Sequence, residues 1–382
     1  MRPTADAVVI GGGVVGASTA YNLLKSGVKN VVLCEKATFA NGSTGRCGAG
    51  VREQWGSEGN CRLAQAAIDI LEGLQEELEY EHSLEFKQNG YLMLAYTDKE
   101  WDQFKKNVEL QHGLGIRAQL LTPQGATEIV PQLNIEGLQG ATFNPRDGHA
   151  NPFHTTRAYL KAAERLGGDI NYFTEVTDIK VEGGRVKSVI TDKGEIATSV
   201  VVNAAGPWAK QVGAMAGVDL PLYTQRHQIL VTEPVGFLLG PMLMSFSLGI
   251  YSQQTPHGSL VMGIGDPNEP KGYDIGHSWE FLHEMSRIMC RLLPPLKEVR
   301  VVRQWSGLYT MTPDAHPILG AVPGLDGYYQ AVGFSGHGFM LAPVVGRLLT
   351  SMIKGEEPYI DVSNLDLGRF ERGDLRVEPS VV

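Results

Sequence analysis

The sequence predicts a layered α/β fold with mixed α+β character, because helical and strand patterns alternate along the chain. Near the N-terminus, an apolar strand over residues 7–10 passes through a glycine-rich turn into a helix over 14–26. Further on, Leu71, Leu74 and Leu78 recur at helical spacing. Between residues 178 and 203, short apolar runs are separated by tight glycine turns, which is typical of consecutive strands.

The composition of the 382 residues narrows the possible classes and corresponds to two or three domains. The 46 glycines exceed the usual share of roughly 7% without a collagen-like repeat, so many tight turns are expected. The formal net charge of −9 argues against a nucleic-acid partner. We expect no membrane span and no signal peptide, and the four cysteines without a CxxC pair favour a reduced, cytoplasmic protein.

The N-terminal strand, turn and helix match a dinucleotide-binding unit. Gly11 makes the tight turn, Gly13 lets the backbone approach a pyrophosphate, and Gly16 allows close packing of helix on strand. A second strand over 30–33 is followed by Glu35, which has the spacing to accept hydrogen bonds from a ribose. The helix N-terminus supplies free N–H groups for phosphates. The alternative is a glycine-rich turn without a ligand, and this unit alone does not distinguish NAD from FAD.

Later elements extend this pattern. Residues 41–50 are too polar and glycine-rich for a third strand of the same unit, and a helix is predicted over 155–166. A strand over 328–332 leads through a second glycine turn into a helix over 341–354, with Pro343 in its first turn. This turn is either a plain connection or a positive site that would stabilise the charge of a reduced flavin.

Five motifs in order resemble the FAD-dependent D-amino-acid oxidase superfamily: GGGVVG, GSTGRCG, VVNAAGPWA, GLYTMTPDAHPILG and GFSGHGFM. Within it, the chain is most similar to the catalytic β subunits of heteromeric L-proline dehydrogenase and sarcosine oxidase, and also to glycine oxidase. The resemblance implies a Rossmann-type FAD-binding domain assembled from residues 1–85, 141–222 and 305–382. It also implies a discontinuous substrate-binding domain, built on a mixed β-sheet, from residues 86–140 and 223–304.

The resemblance also implies which residues hold FAD. The ADP half would contact Gly11, Gly13, Val14, Val15, Gly16, Glu35 and Lys36, with Val176 at the adenine. Ser43, Thr44, Arg46, Cys47, Gly48 and Ala49 would line the flavin and ribityl chain. The pyrimidine edge would contact Gly333, Gly336, His337, Gly338, Phe339 and Met340. The remaining cofactor candidates are Ala205, Gly206, Trp208 and Gly307. Gly307 replaces the cysteine that tethers flavin in monomeric sarcosine oxidase, so noncovalent FAD is expected.

The reaction implied by the resemblance is oxidation of a small primary or secondary amino acid to its imine, by hydride transfer to flavin N5. Tyr251, Tyr309, His337 and Met340 are the substrate-site candidates on this basis. Met340 and Tyr309 replace the lysine and arginine that bind the substrate carboxylate in related oxidases. Burying an unpaired carboxylate is costly, so an amino-acid substrate requires another cation to bind its carboxylate. The nearest candidates are Arg46 and Arg52.

Two departures from the single-chain oxidases concern the electron acceptor. Val261 stands where those enzymes carry a lysine above the flavin, and no Lys or Arg lies within residues 249–265, so slow reaction with oxygen is expected. Arg303 matches an arginine that contacts FMN in the heteromeric subgroup. This resemblance implies FMN at an interface with a larger α subunit, with small subunits as further partners. Pro152 occupies the position of the histidine that tethers that FMN, so any FMN would be noncovalent.

Other interpretations stay open at this point. A NAD-dependent dehydrogenase would share the first glycine turn, a non-catalytic flavoprotein would keep only the cofactor motifs, and a single-chain glycine or D-amino-acid oxidase would need no partner. The histidines His149, His154, His227, His257 and His316 show no metal-ligand spacing, so no metal site is expected.

Overall fold

The computed structural model describes residues 1–376 and 378. The strands in chain order are β1 (Ala7–Ile10), β2 (Val31–Cys34), β3 (Gly50–Val51), β4 (Tyr91–Ala95), β5 (Gln119–Leu121), β6 (Gly140–Asn144), β7 (Gly148–His149), β8 (Asp169–Asn171), β9 (Val176–Glu182), β10 (Arg185–Thr191), β11 (Gly194–Ala197), β12 (Val201–Asn203), β13 (Tyr223–Thr232), β14 (Met242–Ser245), β15 (Ile250–Gln254), β16 (Leu260–Ile264), β17 (Val301–Met311), β18 (Ile318–Val322) and β19 (Leu325–Val332).

The α-helices are α1 (Val14–Lys25), α2 (Glu58–Glu77), α3 (Asp98–Gly113), α4 (Pro123–Ile129), α5 (Pro152–Arg165), α6 (Ala209–Met215), α7 (Trp279–Leu292), α8 (Gly338–Ile353) and α9 (Arg369–Arg372). Across the described part of the chain, none of them is both long and apolar enough to cross a bilayer.

The first sheet has the order β11-β10-β19-β12-β1-β2-β8, with β18 beside β19 and β9 beside β10. The strands from β19 to β8 pair in parallel, and β1 and β2 are buried at every residue, as parallel strands covered on both faces must be. Helices α1, α5 and α8 cover one face, and α6 packs on the other. Helices α1 and α8 lie so close that a Cβ on Gly346 would sit 2.3 Å from the Ser18 hydroxyl oxygen.

The second sheet has the order β17-β13-β16-β15-β14-β4-β6-β5 and is antiparallel except where β14 pairs with β4. One face packs on α7 through Phe281, Met285 and Met289. The opposite face presents a smaller cluster of aromatic and methionine side chains, which includes Tyr91 and Tyr251. Because neighbouring residues on a strand face opposite ways, this register decides which side chains reach the site.

The two sheets meet at the C-terminal half of β17 and a short turn over residues 44–46. The Ser43 hydroxyl donates to the Leu308 carbonyl over 2.6 Å, and the indole N–H of Trp305 donates to the Arg46 carbonyl over 3.2 Å. These bonds hold the glycine-rich segment over residues 41–50 against the second sheet. The mixed α/β architecture confirms the predicted fold class, whereas the residue boundaries of the two domains remain a prediction.

Two helix starts differ from the sequence prediction. Helix α8 begins at Gly338, so the placement of Pro343 in the first turn was wrong, and this proline lies inside the helix. Helix α5 begins at Pro152 rather than at residue 155, because the Asn151 side chain caps it by accepting from the N–H groups of Phe153 and His154.

Candidate active site

A long cleft of about 210 Å³ opens where the parallel strands of the first sheet end. Such ends, at which successive loops diverge, are the usual ligand position in open α/β sheets. The predicted cofactor residues that line the cleft are Gly11, Gly13, Val14, Val15, Glu35, Lys36, Ser43, Thr44, Arg46, Cys47, Val176, Ala205, Gly206, Trp208, Gly307, Gly333, Gly336, Gly338 and Phe339.

The first glycine turn leaves no room for side chains. Gly11 adopts φ = +116°, and a Cβ there would lie 2.4 Å from the Ala204 carbonyl oxygen. A Cβ on Gly16 would lie 2.0 Å from the Gly11 carbonyl oxygen. Helix α1 starts after Gly13, which has no side chain to cap it. The Val14 N–H donates to the Thr44 hydroxyl over 3.2 Å, and the other N–H groups of the first turn are placed to act as an anion-binding end.

Glu35 closes the same turn. One carboxylate oxygen accepts from the Gly12 N–H over 2.7 Å, and the other accepts from the Ala37 N–H over 2.8 Å. Next to it, the Lys36 ammonium lies 3.7 Å from the centre of the Trp208 ring, within cation–π range. This end of the cleft therefore combines a carboxylate with an aromatic wall.

The second glycine turn brings α8 to the other end of the cleft. Gly333 and Gly336 have φ values of +73° and +95°, and a Cβ on Gly336 would sit 2.6 Å from the Tyr309 ring. The His337 side chain does not cap α8, so this helix also presents free N–H groups. The cleft thus lies between two uncapped helix N-termini.

A smaller cavity of about 80 Å³ adjoins the cleft beneath the second sheet. Its lining is mostly aromatic and sulfur-containing and comprises Cys47, Gly48, Ala49, Gly50, Arg52, Trp55, Tyr91, Met242, Met244, Tyr251, Tyr309, Ser335, Gly336, His337, Phe339 and Met340. Of these described residues, Arg52 alone carries a full charge at neutral pH. Such a wall suits a small ligand with an apolar body and one anionic group.

Arg52 is a buried cation with a fixed position. It is 3% exposed, its guanidinium carbon lies 3.6 Å from the Trp55 ring centre, and it donates to the Gln54 carbonyl. Burial lowers the pKa of the guanidinium, whereas the charges of Glu378 and Asp147 act in the opposite direction. A buried cation of this kind is costly unless anionic groups compensate it.

Asp147 lies behind this arginine and holds its segment in place. Its carboxylate accepts from the Glu53 N–H over 2.7 Å, from the Gln54 side-chain amide over 2.8 Å and from Asn144 over 2.7 Å. Burial raises the pKa of Asp147 to about 7 in spite of these three donors.

Tyr251, His227 and Tyr309 form a parallel stack at the junction of cleft and cavity. The His227 ring lies 4.3 Å from Tyr309 and 5.6 Å from Tyr251, with interplanar angles of 4° and 9°. Burial lowers the pKa of His227 to about 4, so its ring is neutral at physiological pH. Burial also raises the pKa of both tyrosines, so their phenols stay protonated.

Comparison with known proteins assigns the family. A family model described as DAO, FAD dependent oxidoreductase, matches residues 6–352. The chain belongs to this family. The β subunit of sarcosine oxidase from Rhodobacter capsulatus is 30% identical over 376 residues, which cover 97% of this chain and 89% of the relative.

Solved structures agree with this assignment. L-proline dehydrogenase from P. horikoshii is 40% identical, with a TM-score of 0.93, over 98% of this chain and all of that one. A further relative by sequence, dimethylglycine dehydrogenase of Homo sapiens, is 32% identical over 97% of this chain, and the match spans 45% of that longer protein. The predicted family and the predicted use of FAD are therefore confirmed, which removes the NAD-dependent alternative.

The residues that line the cleft of this DAO-family oxidoreductase fit FAD. The Gly11 turn would hold the pyrophosphate at the α1 N-terminus, and Glu35 is placed at the ribose end. The α8 N-terminus, beside Gly336, is placed to stabilise negative charge at the flavin end.

Several predicted residues lie elsewhere than in the cleft. Gly16 packs beneath the turn, and Gly48, Ala49, His337 and Met340 line the smaller cavity instead. His337 lies with its ring 4.9 Å from that of Trp55, and burial lowers its pKa to about 3.

The structure separates the two candidate arginines. Arg46 donates to the Ser306 carbonyl over 3.1 Å and to the Asn41 carbonyl over 3.2 Å, and it lines the cofactor cleft. Arg52 lies in the smaller cavity. Arg303 lines neither space, and its guanidinium lies 5.8 Å from the Trp305 ring on the exposed part of β17.

Cys47 has the environment of an inert thiol. It lines both spaces, but its thiol donates to the Thr44 carbonyl over 3.0 Å, and burial raises its pKa to about 12. In the described part of the chain, no three His, Cys, Asp or Glu side chains lie close enough together to hold a metal ion.

Sequence reasoning missed Trp55, Tyr91, Met242, Met244 and His227. His227 was treated as one of several scattered histidines, yet it occupies the centre of the aromatic stack. None of these residues belongs to a local motif. The only available signal was strand alternation, which places Tyr91, Met242 and Met244 on one face but does not say what that face covers.

Proposed function

We propose that this chain oxidises a small amino acid at the carbon–nitrogen bond next to its carboxylate. The amine would lose a hydride equivalent to become an imine, which water then hydrolyses. The observation that carries this proposal is Arg52, the one charged side chain among the described residues that line the cavity beside the cofactor cleft. The names of the related proteins, which include sarcosine oxidase, L-proline dehydrogenase and glycine oxidase, support the same substrate class.

The shape of the cavity favours a secondary amine such as proline or sarcosine. Met242, Met244 and Met340 offer adaptable apolar surface to a ring or an N-methyl group, which a glycine amine would leave unfilled. Proline and N-methyl substrates also match the names of two relatives, L-proline dehydrogenase and sarcosine oxidase. Primary glycine is the second candidate, on the basis of the glycine oxidase neighbour, which is 27% identical.

Bound FAD would supply the two-electron acceptor for this chemistry. Arg52 would bind the substrate carboxylate, and the hydroxyls of Tyr251 and Tyr309 would orient the amine. Neutral His227, held flat between the two rings, would keep both phenols in position without adding charge. The apolar walls exclude water, which favours the uncharged amine that can release its C–H hydrogen with its electrons.

An anaerobic flavin-bleaching screen tests the proposal. Proline, sarcosine, dimethylglycine, glycine, D-amino acids and opines would be compared with pyrrolidine and dimethylamine, which lack the carboxylate. We expect Arg52→Met to lower kcat/KM for the amino acids about 100-fold or more, as expected for loss of a buried charge-assisted pair, and to change the simple amines little. Arg303→Met is the matched control, since Arg303 lies outside both spaces. Bleaching by none of the compounds would favour a non-catalytic flavoprotein.

Noncovalent attachment of FAD is part of the proposal. Gly307 offers no side chain for a tether, and a Cβ there would lie 3.1 Å from Cβ of Arg46. Acid precipitation should therefore leave the yellow colour in the supernatant. Flavin in the pellet would contradict this and point to a tether at another residue.

A slow reaction with oxygen is also proposed. Val261 points to the same side of the second sheet as Tyr251, and residues 249–265 contain no Lys or Arg. Without a nearby cation, superoxide formation would lack electrostatic stabilisation. Stopped-flow reoxidation by air should be slow compared with reduction of an artificial dye. Rapid peroxide formation would instead support a single-chain oxidase.

The physiological acceptor would then be a partner subunit. Relatives named as β subunits support a heteromeric assembly, and we propose a larger α subunit with noncovalent FMN at the interface. Val302 is 67% exposed beside Arg303, on the edge strand of the second sheet, which is a surface that a partner would cover. Co-purification from the native host with flavin analysis tests this. A chain that purifies alone with FAD as its single flavin would overturn it.

A cytoplasmic location is proposed on the four free cysteines, two of them buried. Fractionation of the native host, followed by detection of the chain, would test it.

A further inference from the structure

The far end of the chain returns to the wall of the substrate cavity. Glu378, the last residue that the structure describes, is 3% exposed. Its carboxylate accepts from the Gly56 N–H over 2.9 Å, from the Ser57 hydroxyl over 2.5 Å and from the Asn60 side-chain amide over 2.8 Å. These three groups form the beginning of α2.

The contact replaces a local helix cap. Ser57 is the N-cap residue of α2, but its hydroxyl makes no capping bond to the helix and donates to Glu378 instead. A carboxylate at a helix N-terminus is favourable for both hydrogen-bonding and dipole reasons. An acid from the C-terminal segment therefore organises a helix that starts more than 300 residues earlier.

The segment before this helix start carries Arg52. The Arg52 guanidinium stacks on Trp55, and the indole N–H of Trp55 donates back to the Arg52 carbonyl over 3.0 Å. The Trp55 carbonyl accepts from the Gln111 amide over 2.8 Å. Residues 52–56 are thus held together by contacts among themselves, and Glu378 binds the end of this segment at the Gly56 N–H. Glu378 also contributes negative charge that acts on Arg52.

Anchoring of the C-terminal segment does not depend on Glu378. Arg369 is buried, and it donates to both carboxylate oxygens of Asp314 over 2.8 and 3.0 Å and to the carbonyls of Leu365 and His316. This ion pair fixes the chain nine residues before Glu378. The contact of Glu378 with the cavity wall is therefore an additional feature and not the sole attachment.

We propose that Glu378 is a positioning residue that holds Arg52 in place to receive the substrate carboxylate. This inference rests on the proposed function, in which Arg52 binds that carboxylate. Glu378 fixes the Trp55 platform through Gly56 and Ser57, and its charge offsets part of the cost of burying the guanidinium. The C-terminal segment therefore completes the substrate site without touching the substrate.

The alternative is a plain helix cap, which would add about 1 kcal/mol of stability and nothing else. The two roles differ in what they change. Loss of a cap lowers Tm, whereas loss of a positioning contact weakens the preference for substrates that carry a carboxylate. The ratio of kcat/KM for proline to that for pyrrolidine, or for sarcosine to dimethylamine, measures this preference directly.

The experiment compares Glu378→Gln, Glu378→Ala and Glu378→Asp in the full chain loaded with FAD. We expect the first two to raise KM for the amino acid about tenfold, with kcat within about threefold and KM for the simple amine unchanged; tenfold corresponds to about 1.4 kcal/mol. Glu378→Asp should restore part of the loss. FAD content should stay at the wild-type level, because Glu378 does not line the cleft.

Two control variants separate the explanations. Ser278→Ala removes the N-cap of α7, away from the cavity, and shows what loss of a cap alone does. Asp374→Asn removes an exposed ion pair from the same C-terminal segment and should change nothing. If Glu378→Gln and Glu378→Ala lower Tm like Ser278→Ala but leave the carboxylate preference intact, the positioning role is overturned. If Arg52→Met itself leaves that preference intact, the proposed function fails first.

Discussion

The cofactor cleft and the substrate cavity adjoin each other but are built in different ways. The cleft is shaped mainly by backbone, with two glycine turns that each lead into an uncapped helix. The cavity is shaped by side chains from β4, β14, β15 and β17, together with Arg52 and Met340. A site made of backbone is intolerant of added atoms, whereas a site made of side chains is sensitive to removed ones.

The two spaces also differ in electrostatics. The cleft offers partial positive charge from helix N-termini, which needs no ionised side chain. The cavity relies on one full charge, Arg52, with Asp147 and Glu378 as counter-charges. A cofactor that stays bound can use fixed dipoles, while a substrate that enters and leaves needs a recognisable ion pair at one point.

The largest expected effect is on the backbone-built site. Gly16→Val would place a side chain 2.0 Å from the Gly11 carbonyl oxygen, so the turn must open and FAD binding should be lost. Flavin absorbance of the purified variant measures this. Gly59→Ala is the matched control, because no heavy atom lies within 4 Å of its added Cβ. A Gly16→Val protein with full FAD would show that the cleft is more adaptable than described.

In the substrate cavity, removal of side-chain atoms should lower turnover without loss of FAD. Replacement of both Tyr251 and Tyr309 by Phe removes two hydroxyls but keeps the stack on His227, so kcat/KM should fall by about 100-fold or less while FAD stays bound. Tyr359→Phe, at an exposed position, provides the comparison. Steady-state kinetics measure the change in kcat/KM, and flavin absorbance measures the bound FAD. Unchanged kinetics in the double variant would remove both tyrosines from the substrate site.

The buried His227 should make the stability of the substrate cavity depend on pH. The pKa of His227 is about 4 in the folded chain, against about 6.5 when unfolded, so the unfolded chain binds more protons between these values. The stability that the neutral ring supports is fully present above pH 6.5 and is lost as the pH falls toward 4. By pH 5 the free energy of unfolding should have fallen by roughly 2 kcal/mol.

Urea unfolding at fixed FAD concentration would measure this effect. The stability advantage of the wild type over His227→Gln should shrink between pH 7.5 and pH 5. The exposed Gln124 provides the control, since Gln124→Ala removes no titratable group and should give a difference that does not vary with pH. A constant advantage of the wild type over His227→Gln would contradict the assignment of a neutral buried ring.

The smallest expected effect distinguishes the two faces of β14. Met244 faces the cavity opposite Tyr251, whereas the neighbouring Leu243 packs into the core on the other side. Met244→Ala should shift kcat/KM toward amines with larger N-substituents by severalfold, up to about tenfold. Leu243→Met should leave the preference unchanged. A shift in preference with Leu243→Met and none with Met244→Ala would mean that the register of this strand is misassigned.

Prediction from sequence succeeded where function depends on neighbouring residues. The strand, glycine turn and acid at residues 7–35 were placed within one residue of the observed elements, and most of the expected cofactor residues line the cleft. The start of α8 was misjudged by one turn because Pro343 resembles a first-turn proline. In the helix interior Pro343 cannot donate to the carbonyl of residue 339, and its ring crowds that carbonyl, so the packing of α8 must offset a cost of roughly 3 kcal/mol.

The sequence by itself determined the fold class, the family and the dinucleotide turn, because a tight turn and a helix N-terminus depend on a few adjacent residues. Only the tertiary structure decided that Arg52 and not Arg46 occupies the cavity, and that His227 lies between two tyrosines. It also brought Glu378 to the start of α2. These outcomes depend on strand register and on contacts between residues far apart in the chain, where a shift of one residue turns a side chain to the opposite face of the sheet.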